Sequence, residues 1–104
     1  MSDELFEQVK RKLNITWSDD DTDKRVNEIM QSAIPKMIYK LGIADPDFDF
    51  AVAGAENDLF KNYCLYEYNH CASEFDGNYA NDIAQTRAKH EVKYYKERGE
   101  IGNE

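Results

Sequence analysis

The stretch from Asp19 to Gly42 constrains the fold most, because its apolar residues recur at the spacing of one helix face. An acidic run opens it, where negative charge stabilises a helix N-terminus, and Gly42 closes it, where a left-handed cap is expected. We predict one long core helix here, with Ser18 as its N-cap. Lys36 and Lys40 interrupt any strict seven-residue repeat, which favours a globular core helix over a coiled coil. The apolar positions are Val26, Ile29, Met30, Ala33, Ile34, Met37, Ile38 and Leu41.

Pro35 lies inside this helix, where it removes one backbone donor and clashes with the carbonyl of Gln31. The apolar periodicity continues on both sides of the proline. We therefore predict a kink between these two residues and not the end of the helix.

Three further helices and one irregular loop complete the prediction, an all-α single domain of about four helices over residues 1–104. The other helices cover residues 3–13, 55–75 and 79–98, the last after a break at Gly77 and an N-cap at Asn78. Alanines at every fourth position of the last helix predict close approach to another helix. In the loop, residues 43–54, alternating phenylalanines predict either a short strand or a loop packed on the edge of the core.

The charge of the chain is strongly acidic and unevenly spread. The net charge is −8 over 104 residues, which argues against a protein that binds nucleic acid through phosphate contacts. Residues 1–58 hold seven basic and thirteen acidic side chains, whereas residues 87–98 hold five basic and two acidic ones. Opposite charges on one subunit suit head-to-tail contact between copies, although solvated faces of mixed charge explain the pattern equally well.

Neither a membrane span nor a secretory signal is predicted. No apolar run approaches the roughly 18–20 residues that cross a bilayer, and the N-terminus has no apolar core. Cys64 and Cys71 are seven positions apart on a predicted helix, which would separate their α-carbons by about 10 Å, too far for a disulfide. We expect a cytosolic protein with both thiols reduced.

No motif predicts catalysis, a cofactor or a metal. The acidic run Asp19 to Asp23 lacks the glycine and the distal glutamate of a calcium loop. His70 and Cys71 lack the paired spacing of a zinc site, so the cysteines are interpreted as small buried hydrophobes. His90 is predicted to lie on an exposed face. The absence of phosphate loops and nucleophile motifs leans against an enzyme.

Aromatic and basic residues supply the candidate interface. Trp17, in the connector after the first helix, is predicted to pack in the core or a cleft in preference to anchoring a partner. The tyrosines of the third helix suit an interface because one end of each ring is apolar and the other forms hydrogen bonds. The candidate interface residues are Trp17, Phe48, Phe50, Tyr63, Tyr66, Arg87, Lys89, Lys93, Lys96 and Arg98.

The order of these features resembles the small head–tail connector, or adaptor, proteins of long-tailed phages. The resemblance covers nearly the whole chain. Five stretches carry it: the first helix Leu5 to Leu13 with its Leu13-Asn14-Ile15 exit, the acidic Asp19-Asp20-Asp21, the long helix through Ser32-Ala33 to Leu41-Gly42-Ile43, the Tyr-rich helix Tyr63 to Asn69, and the charged terminal helix.

This resemblance implies a structural protein of the virion, made in the host cytoplasm, without enzymatic activity or cofactor. It implies a ring of about a dozen identical subunits beneath the portal protein, where it extends the DNA channel and supports the next head–tail joining or tail protein. DNA would pass through without specific binding. Two alternatives stay open: a small acidic phage-encoded module that inhibits a basic host protein, and a metal-dependent enzyme that uses the aspartate clusters.

Overall fold

Helices make up most of residues 3–97, the part of the chain that the computed structural model describes. These residues contain no strand, and the protein is an all-α single small domain, as predicted. The helices are α1 (Asp3–Lys12), α2 (Asp20–Lys40), α3 (Ala55–Tyr68), α4 (Phe75–Asn78) and α5 (Ala80–Glu97), with a 3₁₀ turn (Ala72–Glu74) before α4.

Helix α2 is the long core helix that the apolar spacing predicts, and it packs against both α1 and α3. Five members of its apolar stripe are fully buried, whereas the isoleucines at the edges of the stripe are half-buried. The helix continues through Pro35 as predicted, and the kink stays a prediction. The buried members are Val26, Met30, Ala33, Met37 and Leu41.

The N-cap of α2 is Asp19, so the prediction of Ser18 was wrong by one residue. Asp19 has extended backbone angles, and its carboxylate accepts a hydrogen bond from the backbone N–H of Thr22 at 3.1 Å. A carboxylate satisfies a free N–H group as a serine would, and its negative charge also interacts favourably with the helix dipole.

Three helices end in the same Schellman geometry, with a left-handed residue just beyond the last turn. These residues are Asn14, Gly42 and His70, with φ of 61°, 64° and 60°. After α2, the Gly42 N–H donates to the carbonyl of residue 39 at 3.2 Å, and the N–H of Ile43 donates to the carbonyl of residue 38 at 3.0 Å. Ile43 then enters the core with 8% of its surface exposed.

The third helix is shorter than predicted, because the left-handed His70 turns the chain after Tyr68. The reversal brings Phe75 back into the core, fully buried, with its ring centroid 5.1 Å from Tyr63 and 4.8 Å from Tyr79. A continuous helix to residue 75 would have carried this ring away from those partners.

The predicted break at Gly77 and the N-cap role of Asn78 were also wrong. Both residues lie within α4, and the chain leaves that helix at Tyr79. The side-chain amide of Asn78 donates instead to the hydroxyl of Tyr66 at 3.0 Å.

Helix α5 packs on α3 through one face, and this face is not the alanine face that the sequence suggested. Tyr79, just before the helix, and Ile83 are half-buried, and Thr86 and His90 are buried. The alanines at positions 80, 84 and 88 are exposed on the outside. The contact is therefore made by larger side chains, of which Thr86 and His90 are polar, and His90 contacts the carboxylate of Glu56 on α3.

The segment 43–54 is an irregular loop that packs on the core edge, which decides between the two predicted alternatives. The Phe48 and Phe50 rings meet edge to face at 5.0 Å, and Phe50 stacks on Phe60 at 4.7 Å. The side-chain amide of Asn57 donates to the Phe50 carbonyl at 2.7 Å and to Gln8 Oε1 at 2.6 Å. These contacts hold the loop against α1 and α3.

Candidate functional site

An apolar groove lies between the C-terminal half of α2, the loop that follows it and the middle of α5. Its volume is about 580 Å³. Ile34 and Pro46 are shared with a neighbouring hollow of about 390 Å³ that extends along the loop. Ile38 and Ala44 line the groove, and Tyr39, with 80% of its surface exposed, stands at its edge. We call the two hollows together the α2–loop groove.

The charged side chains around the α2–loop groove leave it acidic. The guanidinium of Arg87 donates to the carbonyls of residues 39 and 40 at 3.1 and 3.2 Å, and it pairs with Glu91 at 3.2 Å. The cation therefore satisfies the C-terminus of α2 and one carboxylate. Asp45, Asp47 and Asp49 are exposed along the loop side and add negative charge, with Asp45 and Asp49 accepting hydrogen bonds from backbone N–H groups of the loop.

The outer face of α5 is a second uncovered surface. Ala80, Ala84 and Ala88 are exposed on it at four-residue spacing, and Val92 continues the series with 52% exposure. Lys89 and Lys93 are also exposed, but they lie on another side of α5, because positions one apart on a helix do not share a face. The small apolar side chains of the alanine face allow another surface to approach it closely.

A buried polar cluster fixes α5 on α3. Nε2 of His90 lies 2.7 Å from Oε2 of Glu56, and the Lys89 ammonium pairs with the same oxygen. Both His90 and Glu56 are buried, so the prediction of an exposed His90 was wrong. Burial would raise the pKa of Glu56, but hydrogen bonds from Lys89, from its own backbone and from His90 lower it below the usual 4.5. The His90 ring also meets the Phe48 ring edge to face at 5.8 Å.

This cluster positions α5 on α3, because the imidazole of His90 and the ammonium of Lys89 both contact the carboxylate of Glu56. Within residues 3–97, no group of three His, Cys, Asp or Glu side chains is placed to hold a metal ion.

The predicted interface residues divide into exposed and buried sets. Trp17 is 51% exposed, and its indole N–H lies 3.4 Å from the Thr22 hydroxyl, so the prediction of core or cleft packing was wrong. The neighbouring Ile15, 5% exposed, fills the core position instead. Arg87, Lys89 and Lys93 are exposed, as an interface requires.

Two of the predicted interface residues belong to the core. Phe50 and Tyr63 are 1% and 5% exposed, so neither side chain reaches a partner. The tyrosines of the third helix are predicted at an interface because one end of the ring is apolar and the other forms hydrogen bonds. The structure instead packs Tyr63 on Phe75 and Phe50 on Phe60.

The remaining members are only partly accessible or lie outside the described residues. Phe48 and Tyr66 are half-buried at the edge of the core. The side chain of Lys96 and the whole of Arg98 lie outside the described part of the chain.

Two residues of the acidic run at the start of α2, Asp19 and Asp23, stabilise the fold. Asp19 caps the helix, and Asp23 pairs with Lys10 of α1 at 2.9 Å, where the lysine side chain is 8% exposed. A cation this deeply buried requires its partner, so the pair fixes α1 against the start of α2.

The two cysteines are both free thiols, but they do not share a helix as predicted. Cys64 lies in α3 and is fully buried, whereas Cys71 follows the end of that helix and is half-buried. Burial raises the pKa of the Cys64 thiol to about 12, with a smaller contribution from Glu67. Cys64 is the small buried hydrophobe that the sequence suggested.

Sequence reasoning missed the α2–loop groove, because it placed every apolar residue of α2 in the core. Ile34 and Ile38 are half-buried and form the floor of the groove. A signal was present: the helix carries apolar residues over a wider arc near Pro35 and Tyr39 than a single core contact needs.

Comparisons of the chain with protein-family models, with curated proteins and with solved structures return no match. No helix within residues 3–97 is long and apolar enough to cross a lipid bilayer.

Proposed function

We propose that this protein is a structural subunit of a phage head–tail connector, which assembles as a ring beneath the portal protein and supports the next tail-joining protein. One observation carries the proposal. A single small helical domain exposes an acidic apolar groove beside α2 and the lysines Lys89 and Lys93 on α5, so that two different surfaces carry opposite charge. Different complementary surfaces on one subunit produce head-to-tail contacts, and such contacts close into a ring when their rotation permits.

The distribution of charge supports the same function. Lys89 and Lys93 are exposed on α5, with Lys89 also paired to Glu56, whereas exposed carboxylates lie on the loop before α3. Neutralising these charges between subunits stabilises assembly and sets orientation. With a net charge of −8, a channel lined by this protein would not bind the phosphates of the DNA that passes through it. A ring whose channel is lined mainly by lysine and arginine would contradict this account of the channel.

The proposal is tested by the mass of the protein in solution. Light scattering behind size exclusion is measured across protein concentration, alone and with the portal protein of the same phage. We expect a discrete oligomer, or a discrete oligomer bound to the portal, that weakens as salt screens the charges. A monomer under every condition, without portal binding, overturns the proposal.

A charge reversal sharpens this test. Lys93→Glu reverses a charge on the exposed basic edge of α5, and Lys24→Glu makes the same change on an exposed position of α2 outside the two surfaces. We expect only Lys93→Glu to weaken assembly. Equal effects of the two variants would show that net charge, and not the basic face of α5, governs association.

The second candidate, an acidic module that binds a basic host protein, is favoured by the exposed carboxylates of Asp20, Asp21, Asp45 and Asp47. It predicts a stable monomer, and it becomes the leading function if the light-scattering experiment finds no oligomer.

A further inference from the structure

We infer that the cleft between α3 and α5 binds one divalent cation of the Ca²⁺ class through oxygen atoms of both helices. The cleft contains a polar hollow of about 230 Å³, and buried Leu59 forms part of its wall. We call it the α3–α5 hollow. It shares no lining residue with the α2–loop groove, and cation binding there does not depend on the proposed connector function.

Each of the two helices supplies a pair of oxygen-bearing side chains, four positions apart, to the α3–α5 hollow. Asp58 and Asn62 line it from α3, and Asp82 and Thr86 line it from α5. Residues four apart share one face of a helix, and these two helices pack against each other. The hollow therefore collects two carboxylates, one amide and one hydroxyl.

The side chain of Thr86 is the feature that points to a ligand. Thr86 is 5% exposed and lines the hollow, yet its hydroxyl has no hydrogen-bond partner among the described residues 3–97. A buried hydroxyl without a partner costs free energy, and native proteins pair most such groups. A cation in the hollow would bind a lone pair of this oxygen and remove that cost.

The amide of Asn62 supplies a second uncharged oxygen. Its Nδ2 donates to the backbone carbonyl of residue 58 at 2.8 Å, so the amide nitrogen is engaged within α3. The amide oxygen accepts no hydrogen bond from any residue that the structure describes. This oxygen is the end of the half-buried side chain that remains for a ligand.

The rest of the described chain does not neutralise the two carboxylates. Asp82 has no ion-pair partner there, and Asp58 has only a 4.0 Å contact with Lys61 of the same helix. Exposed contacts of this kind contribute little to stability. Both carboxylates are exposed at the mouth of the hollow, where their charges would attract a cation.

The four oxygen donors select a hard divalent cation. Ca²⁺ takes roughly six to eight oxygen ligands in flexible geometry, whereas Mg²⁺ requires a strict octahedron and keeps several waters. Zn²⁺ is held mainly by histidine and cysteine, and neither is among the described residues that line the hollow. With only two charged ligands and with water completing the shell, we expect a Kd for Ca²⁺ of about 10⁻⁴–10⁻³ M.

A bound cation would join α5 to α3 at a second point. Thr86 lies one turn before His90, whose ring contacts Glu56 of α3. A ligand that binds only the folded state raises Tm. The sequence predicted no metal here, because Asp58 and Asp82 are far apart in the chain and form no motif.

The site is tested on the full chain by isothermal titration calorimetry with CaCl₂ and with MgCl₂, and by thermal unfolding with and without Ca²⁺. Thr86→Val removes the hydroxyl but keeps the shape and charge of the residue, and Asp82→Asn removes one charge. Asp47→Asn, at an exposed position of the loop before α3, is the matched control for loss of charge.

We expect wild type to bind one Ca²⁺ per chain more tightly than Mg²⁺, and Tm to rise by at least about 5 °C when Ca²⁺ is at about ten times its Kd. Thr86→Val and Asp82→Asn should each weaken Ca²⁺ binding about tenfold, because each lacks one oxygen ligand to a charged group. Asp47→Asn should bind as wild type does. Without Ca²⁺, Thr86→Val should be at least as stable as wild type, because it loses only an unpartnered hydroxyl.

Any of four results would contradict the site. Neither heat nor a shift in Tm at about ten times the highest expected Kd would remove it outright. Unchanged binding by Thr86→Val, or equal losses in Asp82→Asn and Asp47→Asn, would show that Ca²⁺ only gathers at an acidic surface. A less stable Thr86→Val without Ca²⁺ would show that the hydroxyl already has a partner in the protein.

Discussion

Replacing Gly42 with alanine should lower the free energy of unfolding by about 1 kcal/mol, because the residue has a left-handed conformation at the end of α2. Its φ is 64°, and this conformation costs a residue with a Cβ roughly 1–2 kcal/mol. Alanine also loses less backbone entropy on folding, which offsets about 0.4–1 kcal/mol of that cost. The new Cβ would lie 3.1 Å from Cγ of Arg87, so that flexible side chain must shift slightly and weaken its bonds to the helix end.

Gly77→Ala is the matched control for this prediction. Gly77 lies in α4 without a positive φ, and an added Cβ there meets no atom within 4 Å. Only the entropy effect remains, so this variant should be more stable by about 0.4–1 kcal/mol. His70→Gly makes the reverse change at φ 60° but also removes the contact of the ring Nε2 with Arg25 at 3.2 Å, so its net effect should be close to neutral.

Urea denaturation and thermal unfolding measure these differences, and 1 kcal/mol corresponds to a change in Tm of roughly 4–8 °C for a domain of this size. The opposite signs of the two Gly→Ala changes are the decisive result. Equal shifts for Gly42→Ala and Gly77→Ala would refute the assignment of a left-handed cap after α2.

Three further predictions concern the core, the thiols and acid stability. Phe50→Ala should lower the free energy of unfolding, measured in urea, by about 3–5 kcal/mol, as truncation of a buried phenylalanine does. Val52→Ala should change it little, because Val52 in the same loop is 64% exposed. Equally small effects of the two substitutions would contradict the burial of Phe50. A thiol reagent at pH 8 should label native protein at Cys71 only, because burial raises the pKa of Cys64 to about 12; rapid labelling of both thiols would contradict this. Because the pKa of Glu56 is lowered on folding, its stabilising contribution is present above its usual 4.5 and is lost as pH falls through the lower folded value. Glu56→Gln should lack this component, so an unchanged acid-unfolding profile would refute the role of the carboxylate.

Much of the local structure was predictable because it depends on residues close together in the chain. The stripe from Val26 to Leu41 specifies a helix with one core face, and Gly42 specifies where it ends. Helix ends were harder where the signal was ambiguous. His70 carries a side chain, which disfavours the left-handed conformation. The sequence therefore predicted that α3 continues through His70 to Phe75, whereas the helix ends at Tyr68.

The candidate surfaces were less predictable than the helices, because exposure depends on which elements cover which. The sequence predicted that Phe50 and Tyr63 contact another protein. In the structure both are buried, because the reversal after α3 places Phe75 beside Tyr63 and the loop packs Phe50 on Phe60. His90 looked exposed among charged neighbours, and only the position of Glu56 on α3 makes it a buried contact.

The sequence by itself determined that the chain forms helices around one apolar stripe, carries acidic and basic regions at different places, and ends its longest helix at Gly42. These properties follow from side-chain spacing, charge and backbone preference within a few residues. Only the tertiary structure decided which face of α5 turns inward and which apolar residues of α2 remain at the surface. The buried pair of Glu56 and His90 selects that face of α5, and the outward alanine row and the open groove follow from that selection.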